Sequence, residues 1–172
     1  GPYRLRSNTI FSVCPAIPAG AELLLRGGHM QRITVLCVGK LKEKFYADAA
    51  AEYIKRLSRY CKLDVIELPE TRLPEDPSPA EIQKALAAMC IEGKTCSSEA
   101  LSKKLADFAL EGKSRVTFLI GGSFGLDETL KKQADWRLSM SPMTFPHHLA
   151  RVMLLEQIYR ACQIAEGTRY HK

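Results

Sequence analysis

The chain has 172 residues, a formal net charge of +6 and a hydrophobic fraction of 46%. This length can bury one substantial core, and no apolar run approaches the about 20 residues that a membrane-spanning helix needs. The six cysteines include no C-x-x-C pair, which argues against a zinc site or a disulfide framework, so we expect free thiols in a reducing cytoplasm. The basic excess suits a polyanion such as RNA, and a solvated lysine-rich surface is the alternative explanation.

Residues 1–29 differ from the rest of the chain. Gly1-Pro2 is typical of a protease scar and Gly28-His29-Met30 of a cloning junction, so we interpret this stretch as tag-like and assign residues 30–172 to the domain. The same stretch contains Ile17–Leu25, an Ile-Pro-Ala-Gly turn followed by a strand-like apolar run. It therefore also fits a second interpretation, in which the segment belongs to the fold.

Two strands and a helix open the predicted domain. Ile33–Val38 is an apolar run stopped by Gly39, and Leu63–Leu68 is a second run closed by Pro69. Between them, Phe45–Tyr60 carries apolar residues at helical spacing with lysine and arginine in between. That pattern predicts a helix with a basic outer face.

The segment that follows predicts an incomplete sheet. Ser78 and Pro79 are suited to begin a helix, which the periodicity extends through Leu86. A parallel strand should come next, but only Met89–Ile91 remain before the Glu-Gly-Lys stretch. Because a strand needs about five or six residues plus a turn, we expect a gap beside the central strand.

The central strand is predicted from Val116–Ile120, which is apolar enough to be buried on both faces. A helix that begins at Ser97–Glu99 and ends at Gly112 precedes it. The strand runs into a turn, Gly121–Gly125, whose glycines allow close approach of a ligand to the backbone. Ligands of open α/β sheets bind at such strand ends, so this turn is the first candidate site, with a tight turn that binds nothing as the alternative.

The last third of the chain predicts a short helix, a short strand, a loop with two prolines and a long helix. The bounds are Asp127–Ala134, Trp136–Met140, Ser141–Pro146 and His148–Ala165. The long helix is apolar around much of its girth, which favours a buried interface. Alternating strands and helices predict an α/β fold with a parallel sheet.

Four stretches together resemble the RlmH-type (YbeA-like) SPOUT methyltransferases: Ile33–Lys40, Ile120–Leu126, Leu138–His147 and Tyr170–Lys172. The resemblance covers nearly all of the chain after residue 29. It implies a SPOUT-type parallel-sheet fold, trefoil-knotted in the family, and a homodimer. It also implies methyl transfer from S-adenosylmethionine to N3 of a pseudouridine in large-subunit (23S) ribosomal RNA within the assembled ribosome, in the cytoplasm, with no metal and no membrane.

The resemblance also implies a set of cofactor-binding residues. In the family the cofactor lies in the knot, against the glycine turn, a later proline-rich loop and a leucine that ends the third strand. Met89 stands where the family has that leucine, and the strand that should lead to it is missing. The corresponding positions here are Met89, Gly121, Gly122, Met140, Ser141, Pro142, Met143, Thr144 and Phe145.

Family members carry an Ile-Pro-x-Gly turn and an apolar strand at the place of the predicted gap. Ile17–Leu25 resembles that piece, but it lies before the first strand. We hypothesise that the chain is rearranged, as in an engineered topology variant, so that Ala21–Leu25 supplies the missing strand and changes the threading of the knot. The alternative is an accidental tag beside a real internal deletion.

Candidate catalytic residues follow from the chemistry of the acceptor. The N3–H of a pseudouridine is weakly acidic, so a base, or a cation that stabilises the anion, would promote transfer. Arg151 lies one helical turn after His147, so the two can share a face, although His147 could serve only as a helix cap. The family match adds Tyr170 and His171, which in a dimer could reach the partner's pocket, with a disordered tail as the alternative. The predicted catalytic residues are His147, Arg151, Tyr170 and His171, with His148 and Arg169 as further candidates.

Two other functions fit the same residues. One is a non-catalytic topology variant with weak or no cofactor binding, and the other is a plain RNA-binding module. Basic side chains suit RNA phosphates in any of these cases, although each one alone is more often a solvated surface charge. They are Lys40, Lys42, Lys44, Lys55, Arg56, Arg59, Arg151, Arg169 and Lys172.

Overall fold

The computed structural model describes residues 31–68, 86–113, 115–121, 131–132 and 134–172. Three helices of 13 to 20 residues and five strands lie in these ranges. In chain order the elements are β1 (Arg32–Val38), α1 (Lys44–Leu57), β2 (Lys62–Leu68), β3 (Leu86–Thr95), α2 (Ser98–Leu110), β4 (Arg115–Ile120), β5 (Trp136–Ser139) and α3 (His147–Glu166).

The described strands form one parallel sheet in the order β2-β1-β4-β3-β5. The predicted central position of β4 is confirmed, and every residue from Val116 to Ile120 is at most 4% exposed. Phe118 packs in the larger hydrophobic cluster and Leu119 in a smaller one. The strand is therefore buried on both faces, as its uninterrupted apolar run predicts.

The larger cluster joins the sheet to the three helices. α3 contacts both α1 and α2, and each helix contributes buried leucine or isoleucine side chains, among them Leu57, Leu105 and Ile158. In the described ranges, no helix combines the length and hydrophobicity needed to cross a membrane. No disulfide joins the described cysteines, and burial raises the pKa of the Cys37 thiol to about 12, which keeps it neutral.

The prediction of a gap beside the central strand is wrong. β3 fills that place, and its first four residues, Leu86–Met89, pair with β4. Leucine and alanine favour a helix, but Ala87 and Ala88 are completely buried, and burial between two strands outweighs local propensity. The predicted extension of a helix through Leu86 is therefore wrong. Ala21–Leu25 lies outside the described residues, so its proposed place in the sheet stays a prediction.

The other predicted elements in the described ranges are confirmed to within three residues at each end. The predicted helix start at Ser78, and the turn beyond Gly121, lie outside the described residues. Of the short helix predicted over residues 127–134, Lys131 and Lys132 are described as helical.

Replacing Ser97 with alanine should lower the free energy of unfolding by about 1 kcal/mol, because α2 loses its N-terminal cap. The Ser97 hydroxyl accepts a hydrogen bond from the backbone N–H of Ala100 at 3.1 Å. Urea denaturation would measure the loss. The Ser97→Asp variant retains a capping oxygen and should stay close to the parent. Equal losses in both variants would contradict the capping role.

Candidate active site

Met89 of β3 lies beside the carboxyl ends of β4 and β5, at one edge of the sheet. The register pairs Met89 with Ile120 of β4 and with Leu138 of β5. Gly121 follows Ile120 directly, and Met140 lies two residues beyond Leu138. Neighbouring strands are about 4.8 Å apart, so the ends of β4 and β5 are about 10 Å apart with β3 between them. The structure thus brings together three of the backbone positions predicted to bind the cofactor.

The loop after β5 is held by its own hydrogen bonds. The Ser139 hydroxyl donates to the backbone oxygen of Ser141 at 2.9 Å, and the Ser141 hydroxyl accepts from the backbone N–H of Met143 at 3.0 Å. Met143 is 72% exposed, whereas Phe145 is half-buried. Most of the predicted cofactor loop, Met140–Phe145, therefore projects from the same sheet edge. Gly122 lies outside the described residues.

β3 is irregular at this edge. Its pairing with β5 breaks after Met89 and resumes at Lys94, which pairs with Leu138 again. The residues between them form a bulge, a common feature beside active sites. At Gly93 an added Cβ would lie 2.8 Å from backbone atoms of Arg137 and Leu138, so no side chain fits there.

A second group of predicted residues lies where the carboxyl ends of β1 and β2 meet α3. His147 begins α3, and its ring makes an edge contact with His148 at 4.2 Å between ring centres. His148 Nδ1 lies 3.6 Å from a carboxylate oxygen of Glu43, just before α1. The first turn of α3 is therefore tied to the start of α1.

Arg151 joins α3 to the ends of two strands. Its Nη1 donates to Glu67 Oε2 at 2.9 Å, and its Nη2 donates to the backbone oxygen of Gly39 at 2.8 Å. Gly39 has a φ of 81°, which favours glycine. Arg151 is only 2% exposed, so burial excludes it from the predicted set of phosphate ligands. Its hydrogen bonds to Glu67 and Gly39 fit a residue that holds the ends of β1 and β2 against α3.

A cavity of about 290 Å³ opens beside Arg151, between α1 and α3. Its charged walls are Lys40, Glu67 and Arg151, and its other walls are small or aliphatic side chains, including Ala47 and Ala50. The sequence did not predict this cavity, and the alanines of α1 were its only signal. It lies at the carboxyl ends of β1 and β2, on the same edge of the sheet as the ends of β4 and β5, but no residue of β3, β4 or β5 lines it.

The predicted tail residues pack on their own chain. Tyr170 donates its hydroxyl to Glu156 Oε1 at 3.1 Å, and His171 Nε2 lies 2.6 Å from Glu99 Oε1. Glu156 lies nine residues after the start of α3 at His147, about 14 Å along the helix axis. One chain therefore does not bring its tail together with its own His147.

The tail is surrounded by groups that the sequence did not single out. Burial, together with hydrogen bonds to Tyr53 and Glu156, raises the pKa of Tyr170 well above its ordinary value, so the phenol stays protonated at neutral pH. A hydrogen bond from His171 lowers the pKa of Glu99. Only the i, i+4 spacing of Glu156 and Arg160 could have indicated an ion pair here.

Comparison with known proteins defines the class. A family model described as "Predicted SPOUT methyltransferase" matches residues 31–171, and the chain belongs to this family. A solved structure with the same fold is a probable methylase family protein from Haemophilus influenzae Rd KW20. It has a TM-score of 0.52 and 9% identity, and the match covers 82% of this chain and 70% of that one.

The names of the curated relatives are more specific about the substrate than the name of the family. The chain is 44% identical to the ribosomal RNA large subunit methyltransferase H of Acetivibrio thermocellus, and 46% identical to the protein of the same name from Bifidobacterium adolescentis. Each match spans 158 residues and covers 82% of this chain and 99% of the relative. Because 82% of 172 residues is fewer than 158, the relatives have residues within the matched region that this chain lacks.

Proposed function

We propose that the chain transfers a methyl group from S-adenosylmethionine to N3 of a pseudouridine in large-subunit ribosomal RNA. It would act as a cytoplasmic homodimer on the assembled ribosome. Family membership and the names of the curated relatives support methyl transfer to ribosomal RNA. The observation that carries the proposal is the register that gathers Met89, Gly121 and Met140 at one sheet edge. The trefoil knot of the family stays a prediction.

The residues at this edge fit such a cofactor. S-adenosylmethionine supplies a methyl group on a positively charged sulfur. Gly121 is buried and has no side chain, so its backbone can lie against a ligand. Met89 is half-buried and packs against the core, where it offers an apolar wall. The backbone of Ser141–Phe145 would close the other side. In the described part of the chain, no three His, Cys, Asp or Glu side chains are placed to hold a metal ion.

The acceptor must lose a proton as N3 takes the methyl carbon. His147 is half-buried at the start of α3, directly after the cofactor loop, and is a candidate base. Glu156, which accepts the hydrogen bond from the Tyr170 hydroxyl, lies about 14 Å along the helix axis from His147, so we infer that the partner's tail completes each site. This separation supports the homodimer. Arg151 would hold the strand ends in place and would not touch the RNA.

Titration calorimetry with S-adenosylhomocysteine, followed by a methylation assay, tests the proposal. We expect micromolar binding, and mass spectrometry should find the added methyl on a pseudouridine of ribosomes that start without it. Tyr170→Phe and His171→Ala should each slow transfer by about 10²-fold or more while binding is kept. Tyr60→Phe is the matched control, since Tyr60 also packs edge-on against Tyr159 but lies outside the tail. Binding without transfer to ribosomes would contradict the proposed substrate.

A specific observation favours the second candidate, a scaffold with little or no cofactor binding. The bulge in β3 lies at the proposed site, and the chain lacks residues that its relatives have. The same calorimetry decides between the two. Absence of binding at millimolar ligand would support the scaffold and contradict the methyltransferase.

A further inference from the structure

We propose that two carboxylates, Glu156 on α3 and Glu99 on α2, are positioning residues that hold Tyr170 and His171 as one prearranged pair, with Arg160 between them. The inference rests on the proposed function, in which the tail presents these two side chains to the partner's site. It assigns a role to acidic residues that neither the motifs nor the basic surface indicated.

Glu156 is the centre of the contacts. Its Oε1 accepts hydrogen bonds from Arg160 Nε at 2.9 Å, from Arg160 Nη2 at 2.5 Å and from the Tyr170 hydroxyl at 3.1 Å. Its Oε2 accepts from Gln157 Nε2 at 2.8 Å. The side chain is 16% exposed, and charge-assisted hydrogen bonds of this kind are stronger than neutral ones. Tyr170 is thus attached to a carboxylate that is itself immobilised.

Arg160, which is bound to Glu156, contacts both tail residues. Its guanidinium carbon lies 4.9 Å from the centre of the Tyr170 ring, and Tyr159 packs edge-on against the same ring, also at 4.9 Å. Arg160 Nη1 lies 3.2 Å from His171 Nδ1. One side chain therefore contacts the phenol ring and the imidazole together.

The contact with Arg160 determines which ring nitrogen of His171 carries the proton. A guanidinium group can only donate hydrogen bonds, so Nδ1 must accept. The ring proton then lies on Nε2, which donates to Glu99 Oε1 at 2.6 Å. Glu99 comes from the first turn of α2, so the imidazole is held between two helices. Its orientation and tautomer are set together, which is the usual role of a carboxylate behind a functional histidine.

Glu156, Arg160 and Glu99 together form what we call the clamp. Hydrogen exchange on the full-length protein tests, without reference to activity, whether the clamp holds the tail. Glu156→Gln and Glu99→Gln should each speed exchange at the amides of residues 168–172. Glu52→Gln is the matched control, because Glu52 pairs with Arg56 by the same i, i+4 spacing on a different helix, α1. Unchanged exchange in both test variants would overturn the proposal, and so would a proton on His171 Nδ1 in the ¹⁵N spectrum of the parent.

Kinetics test whether the clamp acts through the tail. Each glutamine variant should lower kcat by about 10- to 100-fold while KM and the affinity for S-adenosylhomocysteine stay unchanged. In a His171→Ala background, Glu99→Gln should cause no further loss. Losses that multiply would show that Glu99 acts independently and would overturn its assignment. If the parent transfers no methyl group, the proposed function fails, whereas the exchange measurement still decides on the clamp.

Discussion

Replacing Arg151 with methionine should lower the free energy of unfolding by about 3–5 kcal/mol, because it breaks a buried ion pair from one side. Methionine keeps most of the volume but supplies neither donor. Glu67 then keeps a largely buried charge without its partner, and the backbone oxygen of Gly39 loses the hydrogen bond that Arg151 makes. Urea denaturation followed by circular dichroism would measure the midpoint, and an unchanged slope would show that stability alone had changed.

Three variants make this test specific. Arg56→Met removes an exposed arginine that pairs with Glu52, and it should change stability by less than about 1 kcal/mol. Arg151→Lys should recover little, because a single ammonium group does not reproduce the fork that reaches both partners. Adding Glu67→Gln to Arg151→Met should restore part of the loss by removing the unpaired carboxylate. Similar losses for Arg151→Met and Arg56→Met would contradict the structural role of Arg151.

Replacing Gly93 with alanine should lower the free energy of unfolding by about 1–3 kcal/mol and should also weaken binding of S-adenosylhomocysteine. The new Cβ would meet backbone atoms at 2.8 Å, and backbone cannot rotate away as a flexible side chain can. β5 must therefore shift, and β5 leads directly into the loop Met140–Phe145. Urea denaturation and calorimetry on the same preparation would measure the two effects.

Gly112→Ala is the control that separates the two effects. Gly112 has a φ of 78°, so alanine there is strained, but nothing lies within 4 Å of the added Cβ. We expect a loss of about 1–2 kcal/mol from the left-handed conformation, with no change in binding. Equal weakening of binding in both variants would mean that general instability, and not displacement of β5, lowers the affinity.

Much of the fold could be predicted because its strands are apolar runs that are unusual outside a buried sheet. Ile33–Val38 and Val116–Ile120 are of this kind, and both form strands of the sheet core. Leu86–Met89 could not be predicted, because leucine and alanine carry no strand signal of their own. Their conformation follows from the place between β4 and β5, which is a property of the whole sheet.

The candidate site was predicted where its residues directly follow a strand, as Gly121 and Met140 do. The contacts of Arg151 and His171 were not predicted, because their partners are distant in the sequence. Arg151 meets Gly39 across 112 residues, and His171 meets Glu99 across 72. Periodicity places such residues on a helix face but does not say what they meet there. The resemblance located the tail residues without indicating what holds them.

α3 begins at His147, just after the predicted cofactor loop, and carries Glu156 and Arg160, which contact the tail. The helix is continuous from His147 to Glu156, so the number of residues between them fixes both their separation along the axis and their relative rotation about it. Inserting one residue between His147 and Glu156 would increase their separation along the axis by about 1.5 Å and rotate Glu156 by about 100° around the axis. In the proposed homodimer, the number of helical residues between His147 and Glu156 would therefore set the distance and the direction from which one protomer's tail approaches its partner. Substitutions along the helix would disturb that approach far less than insertions.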